Sequence, residues 1–115
     1  MFIFLDDERV PSDVTWTEIP RVNNWMIVRS YDAFKSFIDS IEMITHVSFD
    51  HDLADIHYGG DYSDEKTGFN CAKYLVDWCM DNDRPLPKWT VHSMNPVGAQ
   101  NINSYLANFL RVRGY

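Results

Sequence analysis

The chain is poor in cysteine, in positive charge and in long apolar runs. Its two cysteines, Cys71 and Cys79, stand eight positions apart, a spacing that suits neither a zinc knuckle nor a CxxC redox pair. Two turns apart on one helical face, they read as small core residues in a reducing compartment. Lys and Arg number 10 against 17 Asp and Glu, for a formal charge of −7. That balance excludes broad, sequence-independent binding to nucleic acid, which needs a basic surface. The longest apolar run, Met1-Phe2-Ile3-Phe4-Leu5, falls far short of the ~20 residues of a membrane span. Asp6-Asp7-Glu8-Arg9 interrupts it before a signal-peptide core can form, and the expectation is a cytoplasmic protein without a membrane partner. No repeat, low-complexity tract or internal linker divides the 115 residues, so residues 1–115 read as one domain.

Aromatic and acidic residues are plentiful. Seven Phe, six Tyr and four Trp supply enough apolar bulk for a real core and argue against disorder. The acidic residues concentrate where short apolar runs end. Phe2-Ile3-Phe4-Leu5 runs into Asp6-Asp7-Glu8, Val47-Ser48-Phe49 into Asp50-His51-Asp52, and Trp89-Thr90-Val91 into His92-Ser93-Met94-Asn95. Trp25-Met26-Ile27-Val28 is a further run of the kind found in a sheet covered on both faces.

Helical signals alternate with these strands. Ser30 offers an N-cap ahead of Phe34, Phe37, Ile38 and Ile41 at amphipathic spacing. A second helix begins near Thr67-Gly68, with Cys71, Tyr74, Leu75, Trp78 and Cys79 on its buried face. Asn95 as N-cap and Pro96 at the first position open a third, carrying Ile102, Tyr105, Leu106, Phe109 and Leu110. Residues 8–23, with Pro11 and Pro20, stay irregular where a first crossover helix is expected, and 53–66 form a polar loop. The order β-loop-β-α-β-α-β-α predicts an α/β fold with a four-stranded parallel sheet, order 2-1-3-4. Its ligand site belongs at the C-terminal strand edge, between the first and third strands where the order reverses.

Four motifs then carry a resemblance. Leu5-Asp6-Asp7-Glu8-Arg9 with Pro11, Ser48-Phe49-Asp50-His51-Asp52-Leu53, Thr67-Gly68, and Val91-His92-Ser93 with Asn95-Pro96-Val97-Gly98 resemble the cyclic-phosphate-processing receiver-like domain family of bacteria and phages. The resemblance runs from Phe2 to the last helix. It implies a compact three-layer receiver-like (flavodoxin-like) fold lacking the fifth strand, and processing of cyclic phosphates of nucleotide or RNA-end type. For a phage-encoded member, the compartment is the host cytoplasm. In a signalling receiver, an acidic pair after the first strand holds magnesium, an aspartate after the third accepts phosphate, and a Ser or Thr follows the fourth. Asp6, Asp7, Asp50 and Ser93 fall at those places. The receiver's phosphate-gripping lysine has no counterpart after Lys88, whereas His51, Asp52 and His92 are additions.

The chemistry of these residue types points the same way. Asp6, Asp7 and Asp50 suit a hard divalent cation, Mg²⁺ or Mn²⁺, because crowded carboxylates repel one another and any phosphate until a cation intervenes. Ser93, Asn95 and the N–H groups of residues 96–98 are expected to cradle phosphate, with Gly98 permitting close approach and Arg9 adding an anion contact. His51 and His92 are expected to face each other across the phosphate as acid and base, with Asp52 either orienting one of them or adding to the cation's ligands. His46 reads as structural and His57 as a loop residue. Trp16 has no assigned partner, and a stacking platform for a base is one reading of it. The functional expectation is a metal-dependent phosphoesterase acting on the cyclic phosphate of a small nucleotide, a nucleotide-derived signal or an RNA 3′ end. A non-catalytic nucleotide-sequestering protein and a degenerate receiver used for protein interaction are the alternatives.

Overall fold

Four parallel strands and three helices follow one another in the computed structural model, which describes residues 1–53 and 66–113. Most of the polar loop expected at 53–66, including His57, lies outside the described residues. The strands are β1 (Phe2–Leu5), β2 (Trp25–Val28), β3 (His46–Phe49) and β4 (Lys88–Val91), and the helices are α1 (Tyr31–Ser40), α2 (Gly68–Asp81) and α3 (Pro96–Arg113). The sheet order is β2-β1-β3-β4 with every pair parallel, as expected. Local chemistry sets the helix starts. Ser30 Oγ accepts the Ala33 N–H at 3.1 Å, Thr67 N–H donates to Asn70 Oδ1 at 2.9 Å, and Asn95 Oδ1 accepts the Gly98 N–H at 3.0 Å. Each side chain satisfies a donor that the first turn of a helix leaves without a partner.

The two faces of the sheet are covered differently, and the handedness of the connections explains why. Register partners in parallel strands share a face, and successive residues alternate between faces. One face presents Ile3, Leu5, Val28, Val47 and Phe49. These pack in a single core with Phe34 and Ile38 of α1, Cys71, Ala72, Leu75, Val76 and Cys79 of α2, and Ile102 and Leu106 of α3. Both cysteines are thus free thiols in the core, and burial pushes the Cys79 thiol up to about 11. The connections β2 to β3 and β3 to β4 run in one direction across the sheet, so right-handed crossovers put α1 and α2 on this face. The connection β1 to β2 runs the opposite way and must cross the other face.

That other crossover is the irregular segment 8–23. A single 3₁₀ turn, Pro11–Asp13, is its only regular element. It covers its face with Val14 and Ile19, which bury against Phe4 beside Trp25. The third layer is therefore a strap rather than a helix. Under and beside it lie Phe2, Phe4, Trp25, Ile27, His46, Ser48, Lys88 and Thr90, the alternate positions of the four strands. Fully burying a Phe or Leu contributes roughly 1.5–3 kcal/mol, so the helix-covered face holds most of the apolar stabilisation. The strap-covered face carries polar residues instead. Among the described residues, no helix is long and apolar enough to cross a membrane.

Candidate functional site

The strap-covered face leads directly into the acidic turns. Counting by two along each strand gives Phe2-Phe4-Asp6, His46-Ser48-Asp50 and Lys88-Thr90-His92. The ladder continues one residue past each strand: Asp6 N–H donates to Val28 O (3.1 Å), Asp50 N–H to Leu5 O (2.9 Å) and His92 N–H to Phe49 O (2.9 Å). Asp6, Asp50 and His92 thus stand in neighbouring strand-end positions on one face, held by sheet geometry rather than by loops.

Asp6 is wholly buried and heavily solvated by protein. Its Oδ1 accepts the N–H groups of Glu8 (2.9 Å) and Arg9 (2.8 Å). Its Oδ2 meets His92 Nε2 at 3.0 Å and Arg9 Nη1 at 3.6 Å. Burial alone would raise its pKa, but the hydrogen bonds from His92 and from the Arg9 and Glu8 backbone win and hold the carboxyl at about 2. Asp50 is the opposite case. Burial raises its pKa and the Asp6 charge raises it further, while His92, the His51 N–H and Arg9 only partly offset them. Asp6, Asp7 and Asp50 each offer an oxygen, and the three oxygens lie within 4.8 Å of one another. Three hard oxygen ligands, two of them buried and mutually repelling, fit a divalent cation.

His51 and Asp52 occupy the rim. His51 Nδ1 lies 3.0 Å from Asp52 Oδ1, and Asn95 Nδ2 lies 3.4 Å from both Asp52 oxygens. The His51 ring lies flush on the first turn of α3. A Cβ on Gly98 would sit 2.3 Å from His51 Cγ, so only glycine leaves room for the imidazole. Gly68 plays the matching part at α2. A Cβ there would sit 1.7 Å from the Asp50 carbonyl oxygen, and its N–H donates to His51 O at 2.8 Å. The Thr67-Gly68 and Asn95–Gly98 motifs thus wedge two helix starts against the Asp50-His51-Asp52 turn.

Two expectations about the site come out differently. His92 and His51 do not face each other: His92 is fully buried, stacked on Phe4 at 4.4 Å between ring centroids, with Ser48 Oγ at 2.7 Å from Nδ1. Both its ring nitrogens are engaged, and it lies beneath the carboxylates rather than across from His51. The N–H groups of residues 96–98 do not form an open cradle either, since Pro96 has none and Gly98 gives its own to Asn95 Oδ1. Ser93 Oγ accepts the Asn95 N–H at 3.1 Å and keeps its own O–H to donate. Arg9, in contrast, does reach the site, lying between Asp6, Met94 Sδ (3.5 Å) and the Trp16 ring (5.1 Å to the centroid).

The sequence reading misses Arg29 and leaves Trp16 without a partner. Arg29, one residue past β2, donates from Nη1 to Arg9 O (2.6 Å) and Asp6 O (3.3 Å), bracing the acidic turn. Trp16, 41% exposed, fixes its indole through Nε1–H to His92 O at 2.9 Å. Ser48 has a visible signal in the sequence, a hydroxyl inside the apolar run Val47-Ser48-Phe49.

The family described as cyclic-phosphate processing receiver domain matches the chain over residues 1–108. No curated protein and no solved structure gives a significant match.

Proposed function

The chain belongs to the cyclic-phosphate processing receiver domain family, and on that premise we propose that it is a metal-dependent phosphoesterase opening the cyclic phosphate of a small nucleotide, a nucleotide-derived signal or an RNA end. The observation that carries the reading is the trio Asp6, Asp7 and Asp50, with oxygens within 4.8 Å of one another on the sheet edge where open α/β folds bind ligands. A divalent cation held there would cancel their repulsion and polarise a phosphoryl oxygen.

The residues around the trio divide the remaining work. Asp52 accepts from His51 Nδ1–H, which leaves His51 Nε2 as the basic nitrogen. That nitrogen takes a proton from water as the water oxygen attacks phosphorus. It returns the proton to the ring oxygen as the ring P–O bond breaks, leaving a phosphomonoester. General acid–base help of this kind supplies ~10²–10⁴ in rate. Arg9 turns from Asp6 toward the phosphate, and Trp16 walls the rim. Buried His92 has no path to substrate and serves to hold Asp6.

A ³¹P NMR assay tests the reading with nucleoside 2′,3′-cyclic phosphates and 3′,5′-cyclic nucleotides, with and without Mg²⁺ or Mn²⁺. The expected outcome is a phosphomonoester signal that needs metal, falls at least 100-fold in His51→Ala and vanishes in Asp50→Asn. Binding without conversion across the panel would replace catalysis with sequestration.

A further inference from the structure

Beneath the carboxylates runs a chain of polar side chains that packing does not call for. His46 Nε2 lies 3.2 Å from Thr90 Oγ1, Thr90 Oγ1 2.8 Å from Ser48 Oγ, Ser48 Oγ 2.7 Å from His92 Nδ1, and His92 Nε2 3.0 Å from Asp6 Oδ2. Ser48 and His92 are fully buried and His46 nearly so. Buried polar groups are costly unless every one is partnered, and the same face elsewhere uses Phe4, Val14 and Ile19. Apolar residues at Ser48 and Thr90 would fill the space with no such demand.

The Asp6 carboxylate and the Thr90-to-Ser48 bond together set the direction of the hydrogen bonds between them. Asp6 is an ionised carboxylate, which accepts and cannot donate, so His92 Nε2–H donates to it. Thr90 Oγ1 donates to Ser48 Oγ, which leaves the Ser48 proton for His92 Nδ1, and a ring that accepts there is the Nε2–H tautomer. Thr90 has then spent its proton and accepts from His46 Nε2–H. His46 can play that part as a neutral ring, because burial and the Lys88 charge lower its pKa. Reversing either hydroxyl sets two donors or two acceptors against each other.

We propose that Ser48 and Thr90 are positioning residues, whose hydroxyls fix His92 as its Nε2–H tautomer and so hold the Asp6 carboxylate in one orientation at the cation site. The proposal rests on the metal reading for its purpose, but its structural part stands without a metal. Groups that orient a ligand from behind it are typically worth 10–100-fold in metal affinity. His92 stands directly behind Asp6, and Ser48 and Thr90 act through His92.

The test is ¹⁵N NMR of the histidine rings, with His92 assigned by signal loss in His92→Gln, beside Mn²⁺ titration by calorimetry. In wild type, His92 Nδ1 should resonate as a bare ring nitrogen and Nε2 as a protonated one. Ser48→Ala should give a mixture of tautomers and weaken Mn²⁺ binding on the order of tenfold. Thr90→Val, isosteric but unable to donate, should do the same more weakly, and Thr90→Ser should restore wild-type values. The Thr90 pair carries the test should Ser48→Ala fail to fold. A wild-type His92 protonated at Nδ1, or unchanged tautomer and affinity in both variants, overturns the proposal. Wild-type protein that binds no Mn²⁺ overturns the metal reading, and the tautomer result then decides the positioning role on its own.

Discussion

Asp6 and Asp50 are neighbours with opposite titration behaviour, and the difference is one of donors. Asp6 gathers two backbone N–H groups, His92 and Arg9. Asp50 has the His51 N–H at 2.9 Å and faces the Asp6 charge. The Asp6 carboxyl falls from 3.8 to about 2, which corresponds to about 2 kcal/mol of stability. Its folded pKa lies below its unfolded value, so that stability is fully present above about pH 4 and is lost as pH falls toward 2. Asp50 works in the opposite sense: its pKa is raised, and its contribution is lost as pH rises through the folded value. In urea unfolding of cation-free protein, wild type should therefore lose about 2 kcal/mol more than Asp6→Asn between pH 4 and pH 2. Parallel losses in the two proteins would mean that the buried carboxylate is not held ionised by these donors.

At the scale of elements, the His51–Asp52 pair at the rim depends on two glycines with different tolerances. The obstacle at Gly68 is the Asp50 carbonyl, part of the backbone of the turn, while the obstacle at Gly98 is the His51 ring, which can swing aside. Gly68→Ala should cost at least 1–3 kcal/mol, as overpacking does. Gly98→Ala should fold with a thermal midpoint within a few degrees of wild type, because alanine favours the helix by up to ~1 kcal/mol. Its turnover should nevertheless fall on the order of 100-fold, since a displacement of about 1 Å at the chemistry costs that much. Normal turnover in Gly98→Ala would remove His51 from the reaction. These contacts also mark where the sequence stops being legible. Apolar runs and caps located every strand and helix start to within a residue, and the strand order followed from handedness. The polar clusters that end the first, third and fourth strands also place Asp6, Asp50 and His92 at one edge. What spacing does not encode is depth: whether His92 faces substrate or lies under Asp6 depends on Phe4 and Trp16 closing over it. Nor does a helix-start motif say that its N–H groups are already taken by Asn95.

The whole molecule sets the approach of the substrate. At a formal charge of −7 the protein repels an incoming phosphate at long range, and a cation at Asp6, Asp7 and Asp50 would reverse that locally, beside Arg9. The strap over residues 8–23 brings Arg9 and the exposed Trp16 ring to the rim, on the face opposite the three helices. Long-range repulsion is screened as the Debye length shrinks from about 30 Å at 0.01 M salt to about 8 Å at 0.15 M. With metal saturating throughout, kcat/KM for a nucleoside 2′,3′-cyclic phosphate should rise by a few-fold over that range. The rise should be larger for an RNA oligomer ending in the same cyclic phosphate, because every added phosphate meets the same acidic surface. A protein built to grip nucleic acid through a basic surface behaves in the reverse way, losing affinity steeply with salt. Steady-state rates for the mononucleotide and for a ten-residue oligomer at both salt concentrations separate the two. A fall in kcat/KM for the oligomer would mean that a local basic track, rather than the acidic field of the whole chain, governs how an RNA end reaches Asp50 and His51.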